Sequence, residues 1–265
     1  MSWPRVFLCF ITFVLLMISF DGTAQPTKIV FSVNAPGTKP YLYFDVKSNT
    51  YQGIVVDFFA SIDQENAMSI EYLDTSRNRY EKTLRSKQAD LFLSAKDWLQ
   101  TPEAYLFSNT IALQQSHFYA TQPFAESFDL NALQPTTICT RTNFMYPTLD
   151  KSFQTGRLMR LDSTDQSTMT AMLLKGRCQY LVIGKEDAHA ELFNAQYCDE
   201  VFFESPQVIS SVKMMFVIRQ DRLDLLKILN QQLQQFVASG QLDASFLKHI
   251  GTSNFPKMQC ASVSA

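Results

Sequence analysis

The chain reads as an α/β protein of two lobes joined by two extended crossings, and three observations predict this. A βαβαβ alternation runs from Lys28 to Ser94. A second alternation of apolar runs and helical stripes runs from Thr136 to Phe203. Extended segments, Phe107 to Thr121 and Ser211 to Ile218, bracket the second unit, and a long helix closes the chain. The 265 residues are 46% hydrophobic and 18% charged, enough apolar material for real cores.

In order, Lys28 to Val33 (KIVFSV) is a buried strand, Asn34 to Lys39 a turn-rich loop, and PYLYF follows. Gly53 opens a helix with Val55, Phe58, Phe59 and Ile62 at helical spacing. Ser69 to Leu73 is a strand, Arg79 to Lys87 a helix with Tyr80 and Leu84 inward, and Ala89 to Ser94 a third strand. The second unit has strands at Thr136–Thr140, Leu158–Leu161, Tyr180–Ile183 and Val201–Phe203. Its helices are Asn143–Phe153, Thr164–Lys175 and Glu186–Phe193. Asp221 fits the N-cap of the closing helix. Leu225, Leu226, Leu229, Leu233, Phe236 and Val237 form its buried stripe, and Gly240 fits its stop. Ala244 to Ile250 is a last short helix.

Net charge is −2 with no Lys/Arg block, which argues against nucleic acid. Neither GxGxxG nor GxxxxGK[ST] occurs, which argues against nucleotide phosphates. Residues 1–24 read as a signal peptide: Arg5, an apolar run from Val6 to Phe20, then Gly22-Thr23-Ala24 ahead of a cleavage point at Gln25. An uncleaved anchor is the alternative, disfavoured because the run is short of the ~20 residues a span needs. Export places Cys139, Cys178, Cys198 and Cys260 in an oxidising compartment, with three possible pairings. Cys178 and Cys198, one helix apart and each just before an apolar strand, are the favoured pair. No CxxC or HxxxH spacing suggests a metal, and no cofactor is implied.

In this order the motifs resemble the periplasmic solute-binding proteins of the amino-acid ABC transporter type, extracellular solute-binding protein family 3. The likeness covers Lys28 to Gly251. It rests on Pro40-Tyr41-Leu42-Tyr43-Phe44, Gly53-Ile54-Val55-Val56-Asp57, Leu84 to Asp90, Phe107-Ser108, Leu173-Leu174-Lys175-Gly176-Arg177, and Asp221 to Gly240. The resemblance implies the two-lobed Venus flytrap fold, type 2. Residues 25–118 and 209–265 would form lobe 1, and 119–208 lobe 2, with hinge strands at both edges. It implies a periplasmic monomer that takes a small ligand in the interlobe cleft and serves an inner-membrane ABC permease or a sensor.

Ligands of open α/β sheets lie beyond the carboxyl ends of strands. Ser94, Lys96, Asp97 and Trp98 therefore become candidates at the third strand's tip. Thr140-Arg141-Thr142-Asn143, between a strand end and a helix start, resembles the family's second-lobe anion loop. Arg141, Thr142 and Asn143 are candidates there, with Tyr41, Tyr43 and Tyr146 as aromatic ones. Two departures stand out. After Thr101-Pro102-Glu103 the family has an arginine that clamps the α-carboxylate, where this chain has Ala104. The family's ammonium-pairing Asp is replaced by Gly184. An amino acid bound in the usual way is therefore not expected, and Arg141 is the candidate replacement clamp. The leading reading is a binding protein, not an enzyme. The alternatives are a sensory or partner-protein module without transport, and a periplasmic dehydratase-like enzyme using Asp97 or Glu103 as acid or base.

Overall fold

The computed structural model describes residues 27–62, 68–251 and 255–256. The expected signal segment, Cys9 and Cys260 lie outside them. No helix among the described residues is long and apolar enough to cross a membrane.

The first unit contains β1 (Thr27–Asn34), β2 (Gly37–Thr38), β3 (Leu42–Asp45), β4 (Thr50–Gln52), α1 (Ile54–Ala60), β5 (Met68–Thr75), α2 (Tyr80–Arg85), β6 (Leu91–Ala95) and β7 (Tyr105–Phe107). A long strand, β8 (Ala112–Ala120), leads into the second unit. That unit holds β9 (Thr136–Arg141), α3 (Pro147–Gln154), β10 (Leu158–Ser163), α4 (Gln166–Leu174), β11 (Tyr180–Gly184), α5 (Lys185–Leu192) and β12 (Phe203–Glu204). The return strand β13 (Ser210–Arg219) precedes α6 (Leu223–Ala238) and α7 (Gln241–Ile250).

Ten strands form one hydrogen-bonded sheet, with main order β10-β9-β11-β8-β13-β6-β1-β5, β12 beside β8 and β7 beside β13. β5, β1 and β6 run parallel in lobe 1, as do β10, β9 and β11 in lobe 2. The lobes meet where β8 and β13 pair antiparallel, Ser116 opposite Ser210 through Ala112 opposite Met214. The lobe-1 core gathers Phe31, Phe58, Phe59, Phe216 and Phe236, together with Ile111 and Val212. The lobe-2 cores hold Tyr119, Met169, Leu181 and Phe202 on one face and Phe118, Ile138, Leu149 and Ile209 on the other. Phe118 and Ile209, placed with lobe 1 by the sequence boundaries, thus pack in lobe 2. So does Phe255, against Tyr119, His189 and Phe193 with ring centroids 4.9–5.2 Å apart.

Most elements follow from their residues. β1 and β6 are buried on both faces, as central parallel strands must be, and read as near-continuous apolar runs. α6 buries Leu225, Leu229, Leu233 and Phe236 at a spacing of three to four. Val237, expected in that stripe, is 48% exposed. Four other expectations are corrected. The Cys178–Cys198 pairing is wrong: the structure bonds Cys139 to Cys178, with Cα atoms 5.6 Å apart, and Cys198 is itself disulfide-bonded. The reason is sheet order, since β11 lies beside β9 and brings Cys178 to Cys139, whereas α5 carries Cys198 away. The N-cap of α6 is Arg222, because the Asp221 carboxylate is engaged by Arg219 and Lys87. α3 begins at Pro147, not Asn143, because Asn143 holds a left-handed φ of 63° that no right-handed helix accepts. The pieces 37–52 form a separate three-stranded sheet not foreseen from sequence.

Asp90, 7% exposed, ties three elements together. Its Oδ2 accepts from the Val30 N–H at 2.9 Å, and its Oδ1 faces Arg222 Nη1 at 2.7 Å and Arg219 Nη2 at 3.2 Å. Asp90→Ala leaves two guanidiniums without their carboxylate. It should lower unfolding free energy in urea by about 3 kcal/mol or more, while Asp90→Asn, which keeps an acceptor for Val30, should cost less. The Cys139–Cys178 bridge closes a separation of 39 residues. Replacing both with Ala should remove about 4 kcal/mol by the loop-entropy relation, and non-reducing peptide mapping should recover the 139–178 linked pair.

Candidate functional site

The parallel strands of both lobes aim their carboxyl ends at one gap. The residues just past those ends are Arg77 after β5, Trp98 after β6, Phe144 after β9 and Asp187 after β11, with Asn34 closing β1. Chain direction alone places them there, because free backbone groups and unconstrained loops begin where a strand stops.

Arg77 is held by its neighbours. Its N–H donates to Asn34 Oδ1 at 3.0 Å, and its Nη2 donates to the buried Ser94 Oγ at 3.1 Å. Its guanidinium lies 5.3 Å from the Trp98 ring, 5.4 Å from Tyr80 and 5.2 Å from Phe144. Arg141 approaches Phe144 as well, at 4.8 Å. One lobe-2 ring thus meets a guanidinium from each lobe, a cation–π arrangement. Among the described residues neither arginine lies within 4.0 Å of a carboxylate. Arg141 Nε is buried without a partner. Burial pulls both guanidinium pKa values down, and at Arg77 the positive charge of Arg141 adds to the fall.

The loop that carries Arg141 is rigidly built. The Arg141 N–H donates to Tyr146 Oη at 2.9 Å, and Arg160 Nη2 donates to the carbonyls of Arg141 and Phe144. Burial pushes the Tyr146 phenol up to about 12, so it stays neutral.

Across from Arg141 stands Asp187, 8% exposed, in the first turn of α5. Its Oδ2 accepts from Gln114 Nε2 at 3.1 Å. Burial and then the negative charge of Glu186 raise its carboxyl well above the ordinary range, against the pull of Arg141 and the amides of Gln114 and Gln166. Gly184 makes this possible. A Cβ there would lie 2.3 Å from Gln114 Nε2 and 3.1 Å from Asp187 Oδ2. Where the sequence offered no carboxylate at 184, the structure supplies one three residues later. Tyr41 is fixed in a similar way: Gly53, at φ 121°, lets the Pro40 and Tyr41 carbonyls accept from the first N–H groups of α1, at 3.0 Å each.

Two adjoining hollows result, one against each lobe. The lobe-1 hollow is lined by Tyr41, Arg77 and a largely apolar wall. The lobe-2 hollow is lined by Arg141, Tyr146 and Gln166, and Trp98, Gln114, Phe144 and Asp187 line both. Of the candidates, Tyr41, Trp98, Arg141 and Tyr146 come together here, with Ser94 beneath Arg77. Asn143 lines an outer polar recess shared with Arg77, Trp98 and Phe144.

Four candidates are placed elsewhere. Tyr43 turns to His249 Nδ1 at 3.0 Å. Lys96 lies over Phe107 and Asp97 is exposed, while Thr142 donates to the Ser163 carbonyl. Sequence reasoning missed Arg77, Gln114, Phe144 and Asp187. Only the strand boundary could have given Arg77, since β5 runs two residues longer than its apolar core suggests.

Comparison with known proteins agrees with this architecture. No curated protein matches the chain. Among solved structures, the substrate-binding protein of an amino acid ABC transporter is 16% identical with TM-score 0.68, covering 85% of this chain and 100% of its own. A histidine kinase sensor domain with similarity to periplasmic binding proteins is 16% identical with TM-score 0.70, covering 86% and 97%. An amino acid ABC transporter substrate-binding protein from Streptococcus pneumoniae, bound to L-arginine, is 14% identical with TM-score 0.67, covering 83% and 93%. The model of one family matches residues 32–252, and the chain belongs to it: the bacterial extracellular solute-binding proteins, family 3.

Proposed function

We propose that this solute-binding protein captures a small solute bearing an anionic group in the interlobe cleft, and closes around it by rotation about β8 and β13. The observation that carries the reading is the pair of arginines, Arg77 and Arg141. One comes from each lobe, each lines one of the two adjoining hollows, both approach the Phe144 ring, and among the described residues neither is neutralised by a carboxylate. A charge withdrawn from water without a counter-ion is expensive, and an anion between the lobes would offset that for both at once. Such a solute prefers the closed form because only there does it touch both guanidiniums, and that preference is what drives closure.

The clamp differs from the family pattern on which the sequence expectation was built. Ala104 packs beside the lobe-1 core and donates nothing to the cleft. The separate cores support a lobe division in which the polypeptide changes lobe between Ile111 and Phe118, and again between Ile209 and Val212. Export to the periplasm and action as a monomer that hands its solute to an inner-membrane ABC permease fit the family. The likeness to a histidine kinase sensor domain supports sensing as a second reading. Asp97 and Glu103, the acid/base candidates of the dehydratase-like reading, are both exposed and line neither hollow.

Two measurements test the proposal. Thermal melts across a panel of carboxylates, phosphates, amines and neutral sugars should single out an anion-bearing solute. Arg141→Ala should weaken its binding by ten- to a hundredfold, the loss of a charge-assisted hydrogen bond, without lowering the melting temperature of the unliganded protein. Stabilisation by neutral sugars alone would overturn the anionic reading. The chain has two tryptophans, Trp3 in the expected signal and Trp98 in the cleft. The exported protein should therefore show a solute-dependent emission shift that Trp98→Phe removes, accompanied by compaction in small-angle scattering.

A further inference from the structure

Arg77 sits among three aromatic rings, and the three do not belong to one body. Its guanidinium carbon lies 5.4 Å from the Tyr80 ring, 5.3 Å from Trp98 and 5.2 Å from Phe144. Tyr80 and Trp98 come from lobe 1, at the start of α2 and just after β6, whereas Phe144 follows β9 in lobe 2. The third wall of this cage is therefore supplied from across the cleft.

Each partner is aimed by its own lobe. On the lobe-1 side, Arg77 donates its N–H to Asn34 Oδ1 and its Nη2 to Ser94 Oγ. Tyr80 stacks on Phe92 with ring centroids 4.6 Å apart, and its Oη accepts from the Asn34 N–H at 2.6 Å. Trp98 packs against the lobe-1 core. On the lobe-2 side, the Phe144 N–H donates to the Arg141 carbonyl at 3.2 Å, and the Phe144 carbonyl accepts from Arg160 Nη2 at 2.9 Å. Phe144 is half-buried, yet among the described residues it belongs to no apolar cluster of either lobe. Tyr146, two residues on, packs into a lobe-2 core instead. The neighbours of the Phe144 ring are cations, Arg77 at 5.2 Å and Arg141 at 4.8 Å.

Rotating the lobes apart would carry Phe144 and Arg141 away together, because one loop holds both, and would strip Arg77 of a ring. Closing brings two like charges toward each other, and the negative face of a ring near both offsets part of that repulsion. A cation over a ring face keeps the N–H groups of its rim for other partners, so ring and anion need not compete. We infer that Phe144 is a closure latch: the cage around Arg77 is complete only when the lobes meet, so the solute-free chain favours the closed form through its own cation–π contact. The latch rests on rotation of the lobes about β8 and β13, and is independent of which solute binds. A contact of this kind shifts an open-to-closed ratio by about two- to fivefold. The solute supplies the remainder, and its apparent affinity is scaled by the closed fraction.

The test needs no solute. Small-angle scattering of the dialysed, exported protein is fitted as an open and a closed form, alongside acrylamide quenching of Trp98, the tryptophan outside the expected signal. Phe144→Ala and Phe144→Leu should each raise the open-to-closed ratio about two- to fivefold and expose Trp98, while Phe144→Tyr, which keeps the ring, should match the wild type. Arg77→Gln should open the protein to the same extent, and adding Phe144→Ala to it should change nothing more. Phe144→Leu behaving as wild type would reduce the contact to apolar packing and overturn the latch. Unchanged scattering in every variant, or full additivity of the Phe144 and Arg77 changes, would overturn it too. Failure here leaves the anion reading standing on the solute panel, and failure of that panel leaves the latch standing on these measurements.

Discussion

The pairing of β8 with β13 is the constraint on which the rest depends. Five residues on each strand, from Ser116 opposite Ser210 to Ala112 opposite Met214, join two otherwise separate sheets. Each lobe keeps its own core, since Ile111 and Val212 belong to one cluster and Phe118 and Ile209 to another. A continuous hydrogen-bonded path is therefore compatible with two bodies. The backbone bonds run through the crossing while the packed side chains do not. Because β8 leaves lobe 1 and β13 returns to it, the parallel strands of both lobes end at the same gap, and every side chain of the cleft is there as a consequence.

That geometry gathers charges that would not be stable in a core. Arg77 and Arg141 flank Phe144, and Asp187 is buried near Glu186. The protein tolerates them through partial devices. Ser94 accepts from Arg77, three rings shield its guanidinium, and Gln114 donates to Asp187. None of these is a full counter-charge, and the contrast with Asp90 is instructive. There two arginines and a backbone N–H meet one carboxylate completely, at the far end of the same β6 strand. The chain neutralises its structural charges and leaves those of the cleft incomplete, which is the pattern of a site awaiting a ligand.

How much was legible in the sequence depended on the range of the interaction. Strand and helix periodicity, the Gly240 stop and the two-lobed order are local or nearly so, and they could be read. Trp98, Arg141, Tyr146 and Tyr41 could be placed near the gap because each lies beside a strand end. Lys96 and Asp97 lie in the same loop, yet the three-residue turn at 96–98 swings them outward while Trp98 turns in. That depends on a single turn of backbone, which composition does not fix. The disulfide failed for a different reason, since nearness in sequence stood in for nearness in the sheet. Asp187 and Gln114 were hidden because each has meaning only beside the other, across 73 residues of chain.

Gln114 carries this reasoning one step further. It lines the cleft from a crossing strand and is paired there, opposite Val212. Its amide reaches a lobe-2 carboxylate at 3.1 Å. Any rotation of lobe 2 about β8 must therefore stretch or keep that bond. The absence of a side chain at Gly184 is what allows the amide to sit within it, since a Cβ would lie 2.3 Å away. A bond to a buried carboxylate is stronger than one between neutral groups, and weakens steeply with misalignment. On the proposed closure, a solute whose binding depends on that bond draws on a tie between the hinge strand and lobe 2. Binding energy would then be spent where it selects the closed form, which is the condition under which a ligand shifts an equilibrium at all.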